Sequence, residues 1–480
     1  MGGKKNSIVV NILHLFYSTA LSSGLNALAL IVLAGYLQSN QYGLFSVALA
    51  FAMIMSYFTD AGLSDIVLRE GAKQEVGHSR LLTSYMKMRL LLLILTFALG
   101  FFVIYIMNGD NAKLMQTAFV LIVPMVTGVA LQSIGTTYFQ LIEKMQYYGL
   151  IRLVSATALV LSMSVGMFLQ WNPLLVTAMY GGSYLTAGIV AIILVGRHVR
   201  LSFTEPFHRG LLKNLGAFTI GGLLFVLLPH LGPILLEKTI SLAEVGLFAV
   251  AYRIPQALQQ IPFVVAGAYY PVLFRTFQND QLNDHRSHQR MQVKIMALIG
   301  MMMTIPFFYF NEEVIRLLFG EQWSEAALPL KILSLMLTLQ AVNIALADGL
   351  TSMERQNART IIQAIAILIG AFLYIGWSSR YGVLGAAFAG VTIECIGLIG
   401  FWVCTRARSE LFKRVLFPYL SLFAGSLWMI DVYLGGNPWA AVTVHLTIMV
   451  VLIALDQELR LNLVKAFSKY KRVMHNGTTS

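Results

Sequence analysis

Charge is what this sequence has least of. Aspartate, glutamate, lysine and arginine together make up 12% of its 480 residues, against about 25% in an ordinary soluble protein. So long a chain with half the usual charge cannot coat a water-facing surface, which excludes a soluble globular enzyme. With 57% hydrophobic residues, disorder is excluded as well. Cysteine is nearly absent. Cys395 and Cys404 lie nine apart in one apolar run, which is neither a metal-ligand spacing nor a disulfide framework. The sequence has no nucleotide-binding or nucleic-acid-binding motif, so neither direct use of ATP nor a nucleic-acid partner is expected. Acidic residues number 22 against 34 basic ones, a net charge of +12, and the placement of that surplus decides its meaning.

What is present is apolar length. A run of about 20 residues suffices to cross a bilayer core of roughly 30 Å, and fourteen such runs are read along the chain. The first seven are Ser7–Tyr36, Tyr42–Leu68, Met86–Met107, Met115–Tyr138, Leu150–Gln170, Leu174–Gly196 and Leu211–Leu236. The second seven are Glu244–Phe274, Met291–Phe310, Ala326–Leu350, Ala358–Trp377, Gly382–Cys404, Leu416–Leu434 and Trp439–Leu455. The fold expected is therefore an all-α polytopic membrane protein. With the N-terminus inside, the outer connections hold only Lys113, Lys238, Arg316, Lys331 and Arg380, and Arg253 lies within a span. Every other lysine and arginine, Arg89 and Lys294 among them, is assigned to the inner side. This is the positive-inside pattern. It places both termini in the cytoplasm and accounts for the basic surplus without nucleic acid. Lys4 and Lys5 before an apolar run resemble a secretory signal, but the run is too long for a signal core. Asn476-Gly477-Thr478 fits the glycosylation pattern but falls on the tail assigned to the cytoplasm.

The sequence repeats itself. Gly43-Leu44-Phe45-Ser46-Val47-Ala48 and Gly246-Leu247-Phe248-Ala249-Val250-Ala251 agree at five of six positions, at an offset of 203. Asn11 and Asn214 open the preceding spans at the same offset. Glu143-Lys144-Met145-Gln146 resembles Glu354-Arg355-Gln356-Asn357 at an offset of 211. Spans one to six therefore recur as spans seven to twelve in the same orientation. An even number of spans per half makes the repeat parallel, and paired bundles of this kind enclose a transport path. The expected division is a six-helix lobe over residues 1–210, a second over 211–408, and an added helix pair with a basic tail over 409–480. Each lobe can rock against the other, and the pattern points to a transporter.

Three further segments carry a family likeness. They are Leu37-Gln38-Ser39-Asn40-Gln41-Tyr42-Gly43 with Asp60-Ala61-Gly62-Leu63 and Arg69-Glu70; Val245 to Ile254 with Gln260-Ile261-Pro262 and Tyr270-Pro271-Val272-Leu273; and Ile315 to Gly320 with Trp323 and Ala326. Over about Asn11 to Arg408 the chain resembles the polysaccharide transporters, above all the O-antigen and capsule repeat-unit flippases. These belong to the superfamily that also holds multidrug exporters and lipid II flippases. The resemblance implies two six-helix bundles around a central, partly cationic cavity in the bacterial inner membrane. It implies a polyprenyl-diphosphate-linked oligosaccharide as substrate, its head in the cavity and its lipid tail in the bilayer. It also implies glycosyltransferases and a polysaccharide polymerase as neighbours in the same process. Spans thirteen and fourteen depart from the twelve-helix pattern. They occur in the lipid II branch and in some polysaccharide members, where they are associated with the lipid tail, so both branches stay open.

Polar groups within the spans are the candidate site. Arg253, next to Tyr252, lies near mid-bilayer, where an arginine is costly and needs a partner or water. Its planar fork of donors suits a diphosphate better than a lysine does, and the alternative is a structural ion pair. Its repeat counterpart, Ala50, carries no charge. Glu394, also at mid-depth, is read as a resting counter-ion for Arg253, an ion-coupling carboxylate or a silent protonated acid. Asn11, His14 and Arg69 toward the inner side are expected to meet the substrate, and Asp60 and Asp65 to form an inner gate or to couple H⁺ or Na⁺. An ordinary interfacial ion pair between Asp65 and Arg69 is the alternative. His230, Glu237 and Lys238 are read as an outer gate or a headgroup contact, and Asp348 as a second inner candidate. No cofactor or metal is expected beyond a coupling ion. A drug or cation antiporter of the same fold would call for an acidic cavity, against which Arg253 stands. A membrane polymerase or ligase would call for a large outer loop, whereas the longest outer connection runs only from about Asn311 to Glu325.

Overall fold

The computed structural model describes residues 8–72, 77–199, 201, 204–212 and 215–461, and among them every regular element is helical. The first helices are α1 (Ile8–Tyr36), α2 (Ser39–Asp60), α3 (Leu63–Ala72), α4 (His78–Asn108), α5 (Ala112–Leu141), α6 (Met145–Phe168) and α7 (Pro173–Gly196). Then come α8 (Leu215–Leu236), α9 (Leu242–Leu258), α10 (Gln260–Gln278), α11 (Leu282–Tyr309), α12 (Asn311–Phe319) and α13 (Ala327–Ser352). The last are α14 (Gln356–Cys404), α15 (Arg408–Leu411), α16 (Phe417–Leu434) and α17 (Pro438–Leu455). Twelve segments are long and apolar enough to cross a membrane, and α8 adds a shorter apolar stretch, Val226–Leu236. Among the described residues, most of each of the fourteen expected spans lies on helix, with Tyr42–Leu68 broken by a turn at Ala61–Gly62.

Local chemistry sets the helix limits. Asn111, Asn172 and Asn437 cap α5, α7 and α17, each side chain accepting from the amide three residues on, which meets an orphan donor of the first turn. Pro173 and Pro438 follow their caps at the position that needs no donor. Two expected spans merge into the 49 residues of α14, kinked where Gly382 takes φ 58°, a backbone that a side chain would strain. One expected span divides into α9 and α10. Pro255 and Pro262 flank that break at Gln259, and each lacks the N–H that would bond the carbonyl four residues before it.

The helices pack as two compact units. The first holds Met1–Ala257, Ile315–Ala326 and Gln363–Ala389, and the second holds Leu258–Val314, Ala327–Ile362 and Gly390–Ser480. Within the first, small residues let backbones meet. A Cβ at Gly128 would stand 2.2 Å from the Tyr184 carbonyl carbon, and one at Gly181 would stand 2.6 Å from Leu121 O. Without a hydrophobic driving force between helices in lipid, such close backbone contact supplies the packing energy. One face of α4, with Ile94, Leu99, Phe102 and Ile106, is exposed, as a lipid-facing helix is expected to be.

The repeat found in the sequence is a repeat of geometry. The two copies of the Gly-Leu-Phe motif cross each other within the first unit. A Cβ on Gly43 would lie 1.8 Å from Leu242 O and 3.3 Å from Gly246 N, and one on Gly246 would lie 2.2 Å from Ser39 O and 3.3 Å from Gly43 N. The contact is reciprocal, as between two related halves, and neither glycine has room for any side chain. The second pair of segments also matches. Glu143 and Glu354 both take the left-handed conformation, at φ 58° and 60°. Lys144 N then donates to Phe139 O at 2.8 Å and Arg355 N to Leu350 O at 2.9 Å. Both are helix C-terminal Schellman turns, with glutamate where glycine is usual. Asn214, in the third matched segment, lies outside the described residues.

The second unit ties the added helix pair to α11 through charge. Lys294 Nζ donates to Asp456 at 2.6 Å and Glu458 at 2.8 Å, and Arg290 Nη2 donates to Glu458 at 2.6 Å. Tyr419 Oη donates to Asp456 at 2.7 Å. Lys294, assigned to the inner side by sequence, is thus a buried partner on a helix. Burial alone would push both carboxyls up. The Lys294 ammonium, with the Leu459 amide and the Tyr419 hydroxyl at Asp456 and the Arg290 guanidinium at Glu458, outweighs it and holds both below their ordinary values.

Gly43→Ala and Gly246→Ala are each expected to destabilise the protein by about 1–3 kcal/mol or more through forced separation of two backbones. Gly24→Ala and Gly425→Ala, which meet open space, are expected to leave it unchanged. Thermal unfolding of detergent-purified protein distinguishes these. A lowered carboxyl pKa contributes stability above the unfolded value, near 4, that is lost as pH falls from there through the lower folded value. Tm is therefore expected to stay level from about pH 8 to 5.5 and to decline below about pH 4. The double variant Asp456→Asn with Glu458→Gln should flatten that decline.

Candidate functional site

Arg253 sits on α9, eleven residues from its start, or about 16 Å at 1.5 Å per residue, roughly half a bilayer core. Its Nη1 donates to Gln256 Oε1 at 2.9 Å, one turn on and just before the α9–α10 break. Its Nε is buried and meets no acceptor, and among the described residues the guanidinium forms no ion pair. Of five N–H donors, one is engaged. Tyr180 and Tyr184 lie on α7 and His230 on α8, in the same unit. Tyr180 packs edge-on against Phe45 at 5.0 Å and lies 5.8 Å from Tyr184. His230 Nδ1 lies 2.8 Å from Val226 O. Tyr252 stacks on Phe248 at 5.7 Å, and Phe248 meets Tyr374 edge-on. Arg253 is thus a cationic fork with one neutral partner among the described residues.

The sequence expectation for Asp60 meets a different setting. Its carboxylate accepts from Arg89 Nη1 at 2.7 Å, Tyr85 Oη at 3.1 Å and Ser64 Oγ at 2.7 Å. Arg89 is only 1% exposed and also donates to Ala130 O at 3.1 Å. Tallied by sequence as one more cation of the inner side, Arg89 is instead a deeply buried partner. Its signal was its place four residues beyond Tyr85 on one helix, facing α2. Asp65 is exposed, and Arg69 Nε lies 3.6 Å from Glu70. Asn11 and His14 lie on α1, with side chains outside the described residues.

The remaining candidates divide between the units. Lys238 pairs with Glu237 at 3.0 Å and donates to Met107 O and Asn108 Oδ1, joining the ends of α8 and α4. Asp348 accepts from Gln292 at 2.9 Å within the second unit. Glu394, read from sequence as a counter-ion of Arg253, an ion-coupling carboxylate or a silent acid, is held by two amides. Its carboxylate accepts from Gln340 at 2.9 Å and Asn343 at 2.8 Å, two residues that the sequence reading did not single out.

The profile of a family described as "Polysaccharide biosynthesis protein" matches residues 8–277, more than half of the chain. The chain belongs to that family. Among known proteins it is 21% identical over 432 residues to the lipopolysaccharide biosynthesis protein WzxC of Escherichia coli (strain K12), covering 86% of this chain and 82% of that one. It is 26% identical over 141 residues to the capsular polysaccharide biosynthesis protein CapF of Staphylococcus aureus, covering 29% and 35% of the two chains. In fold, this polysaccharide biosynthesis protein is similar to the lipid II flippase MurJ in an inward closed conformation, with a TM-score of 0.71 and 13% identity over 93% of this chain and 99% of that one. It is also similar to an inward-facing multidrug resistance MATE transporter, at 0.68 and 14% over 82% and 96%. The resemblance drawn from sequence and the multi-pass helical fold thus agree with both comparisons.

Removing one partner of a buried ion pair costs about 3–5 kcal/mol. Arg89→Ala is therefore expected to lower the unfolding temperature sharply, and Arg89→Leu with Asp60→Leu to recover part of the loss. Thermal unfolding of Arg89→Leu, Asp60→Leu and the double settles it, since strictly additive losses would show that the pair is not coupled.

Proposed function

We propose that this protein is a flippase that carries a polyprenyl-diphosphate-linked oligosaccharide, a surface-polysaccharide repeat unit, from the inner to the outer leaflet of a bacterial inner membrane. Arg253 holds the diphosphate. The observation that carries this reading is a guanidinium near mid-span with one neutral hydrogen-bond partner and no carboxylate within ion-pair distance among the described residues. A fixed fork of donors binds phosphate oxygens two at a time, and its positive charge repels the cations that an antiporter of the same fold would carry. Tyr180, Tyr184 and Tyr252 offer ring faces and hydroxyls to sugars. The relationship to WzxC over most of both chains supports a repeat unit of the lipopolysaccharide type over lipid II.

The lipid tail stays in the bilayer, so only the head needs a polar route, opened to one side and then the other. Glycosyltransferases complete the unit on the inner leaflet, and a polymerase consumes it on the outer one. The membrane field favours outward movement of a diphosphate by about 2.3 kcal/mol per charge per 100 mV.

Depletion of the protein is expected to leave completed lipid-linked units on the inner leaflet. Hydrogen bonds to charged groups contribute about 1.5–3 kcal/mol each. Arg253→Ala at normal protein level should therefore flip the unit about 10- to 100-fold more slowly, with Arg253→Lys in between. Leaflet-resolved analysis of lipid-linked sugars reads both, and full activity of Arg253→Ala would remove the guanidinium from the mechanism.

A further inference from the structure

Glu394, on the second part of α14, is a carboxylate in an apolar span with no basic side chain in ion-pair distance among the described residues. Two amides of α13 hold it. Gln340 Nε2 donates to Oε1 at 2.9 Å, and Asn343 Nδ2 donates to Oε2 at 2.8 Å and to the Glu394 carbonyl at 2.9 Å. Gln340 and Asn343 stand three apart and so share one face of α13. They are 6% and 7% exposed. The other atom of each amide is stranded: Gln340 Oε1 and Asn343 Oδ1 are buried and accept from no donor among the described residues. Gly397 brings α14 close, since a Cβ there would stand 3.2 Å from Asn343 Nδ2. All four residues belong to the second unit.

The cluster has a surplus of acceptors. Buried oxygens without donors are rare in folded proteins, and here two flank a carboxylate. A proton on Glu394 makes a single O–H and satisfies at most one of the two. A metal ion binds several oxygens at once, and a set made only of carboxylate and amide oxygens selects a hard cation. A single carboxylate balances a single charge, whereas a divalent ion would leave a buried net positive charge. We propose that Glu394, Gln340 and Asn343 form a binding site for a monovalent metal cation, Na⁺ or K⁺, with the carboxylate and both amide oxygens as ligands. Turning each amide about its last torsion, which is broad and roughly two-fold, exchanges its N–H₂ for its oxygen. The same three side chains thereby close on themselves without the cation and open to it when it arrives. The use of this site for coupling rests on the flippase reading, but the binding does not.

The test uses full-length protein in detergent at fixed pH and ionic strength, with choline chloride replaced by NaCl in one arm and KCl in another. A saturable rise in Tm is expected in at least one arm. Glu394→Gln should lose it, and Asn343→Leu should raise the half-saturating concentration about tenfold or more. Equilibrium dialysis of wild-type protein with radioactive Na⁺ or Rb⁺ keeps the proposal falsifiable if a variant does not fold. Equal Tm in all three salts together with no bound cation overturns it, as does an unchanged salt effect in Glu394→Gln. If the three salts are indistinguishable and a repeat of the series at a second pH shifts Tm in wild type but not in Glu394→Gln, Glu394 is assigned to a proton, which also overturns it. Cation binding without build-up of lipid-linked sugar on depletion removes the flippase reading and leaves the site; build-up without cation binding does the reverse.

Discussion

A polar group that enters an apolar span has no water to fall back on, so each must be met from within the protein or by something that comes and goes. This constraint divides the buried charges of the chain into two kinds. Asp60 with Arg89, and Lys294 with Asp456 and Glu458, are met by opposite charge and by further hydrogen bonds. Such groups hold helices together and gain nothing from a visiting ion. Among the described residues Arg253 and Glu394 are met only by neutral amides; a stranded atom alone does not set them apart, since Arg89 Nε is also buried without a partner. The first kind reads as scaffold, and the second is where a mobile ion would relieve an unmet demand.

The repeat shows what duplication preserves. Gly43 and Gly246 are fixed by the reciprocal approach of two backbones, and Glu143 and Glu354 stand at the same left-handed turn although glutamate is strained there. These are constraints of geometry, and both copies obey them. Chemistry has diverged between the same copies. Arg253 lies seven residues after Gly246, whereas Ala50, seven after Gly43, is a buried small residue. One copy carries the charge and the other supplies close packing.

Legibility in the sequence followed the range of the interaction. Spans were legible because their length and composition are local, whereas Glu244–Phe274, read as one run, divides into α9 and α10 between Pro255 and Pro262. The kink at Gly382 was legible as a gap between two apolar runs, although the helix continues through it. Arg253 and Glu394 were legible because a charge within an apolar run is conspicuous. Their partners were not. Gln340 and Asn343 are neutral and unremarkable in a span, and they lie 54 and 51 residues from Glu394. Arg89 was hidden by a tally of cations that records the side of the membrane and is blind to burial. Which face of α4 meets Asp60 depends on packing between helices, which no local pattern encodes.

Amides are well suited to the places they hold. A charge paired with a charge must be released before an ion can bind, and inside a low-dielectric span that release is expensive. An amide offers one or two hydrogen bonds and no net charge, so the group it holds is positioned but not neutralised. Gln256 does this for Arg253, and Gln340 and Asn343 do it for Glu394. On the proposed reading, an arriving anion or cation displaces a weak partner and supplies the missing charge, so the preference for the loaded state comes from the ion itself. A transporter has to let go as well as hold, and a site whose resting partner is neutral can be reset without breaking a buried salt bridge at every turnover.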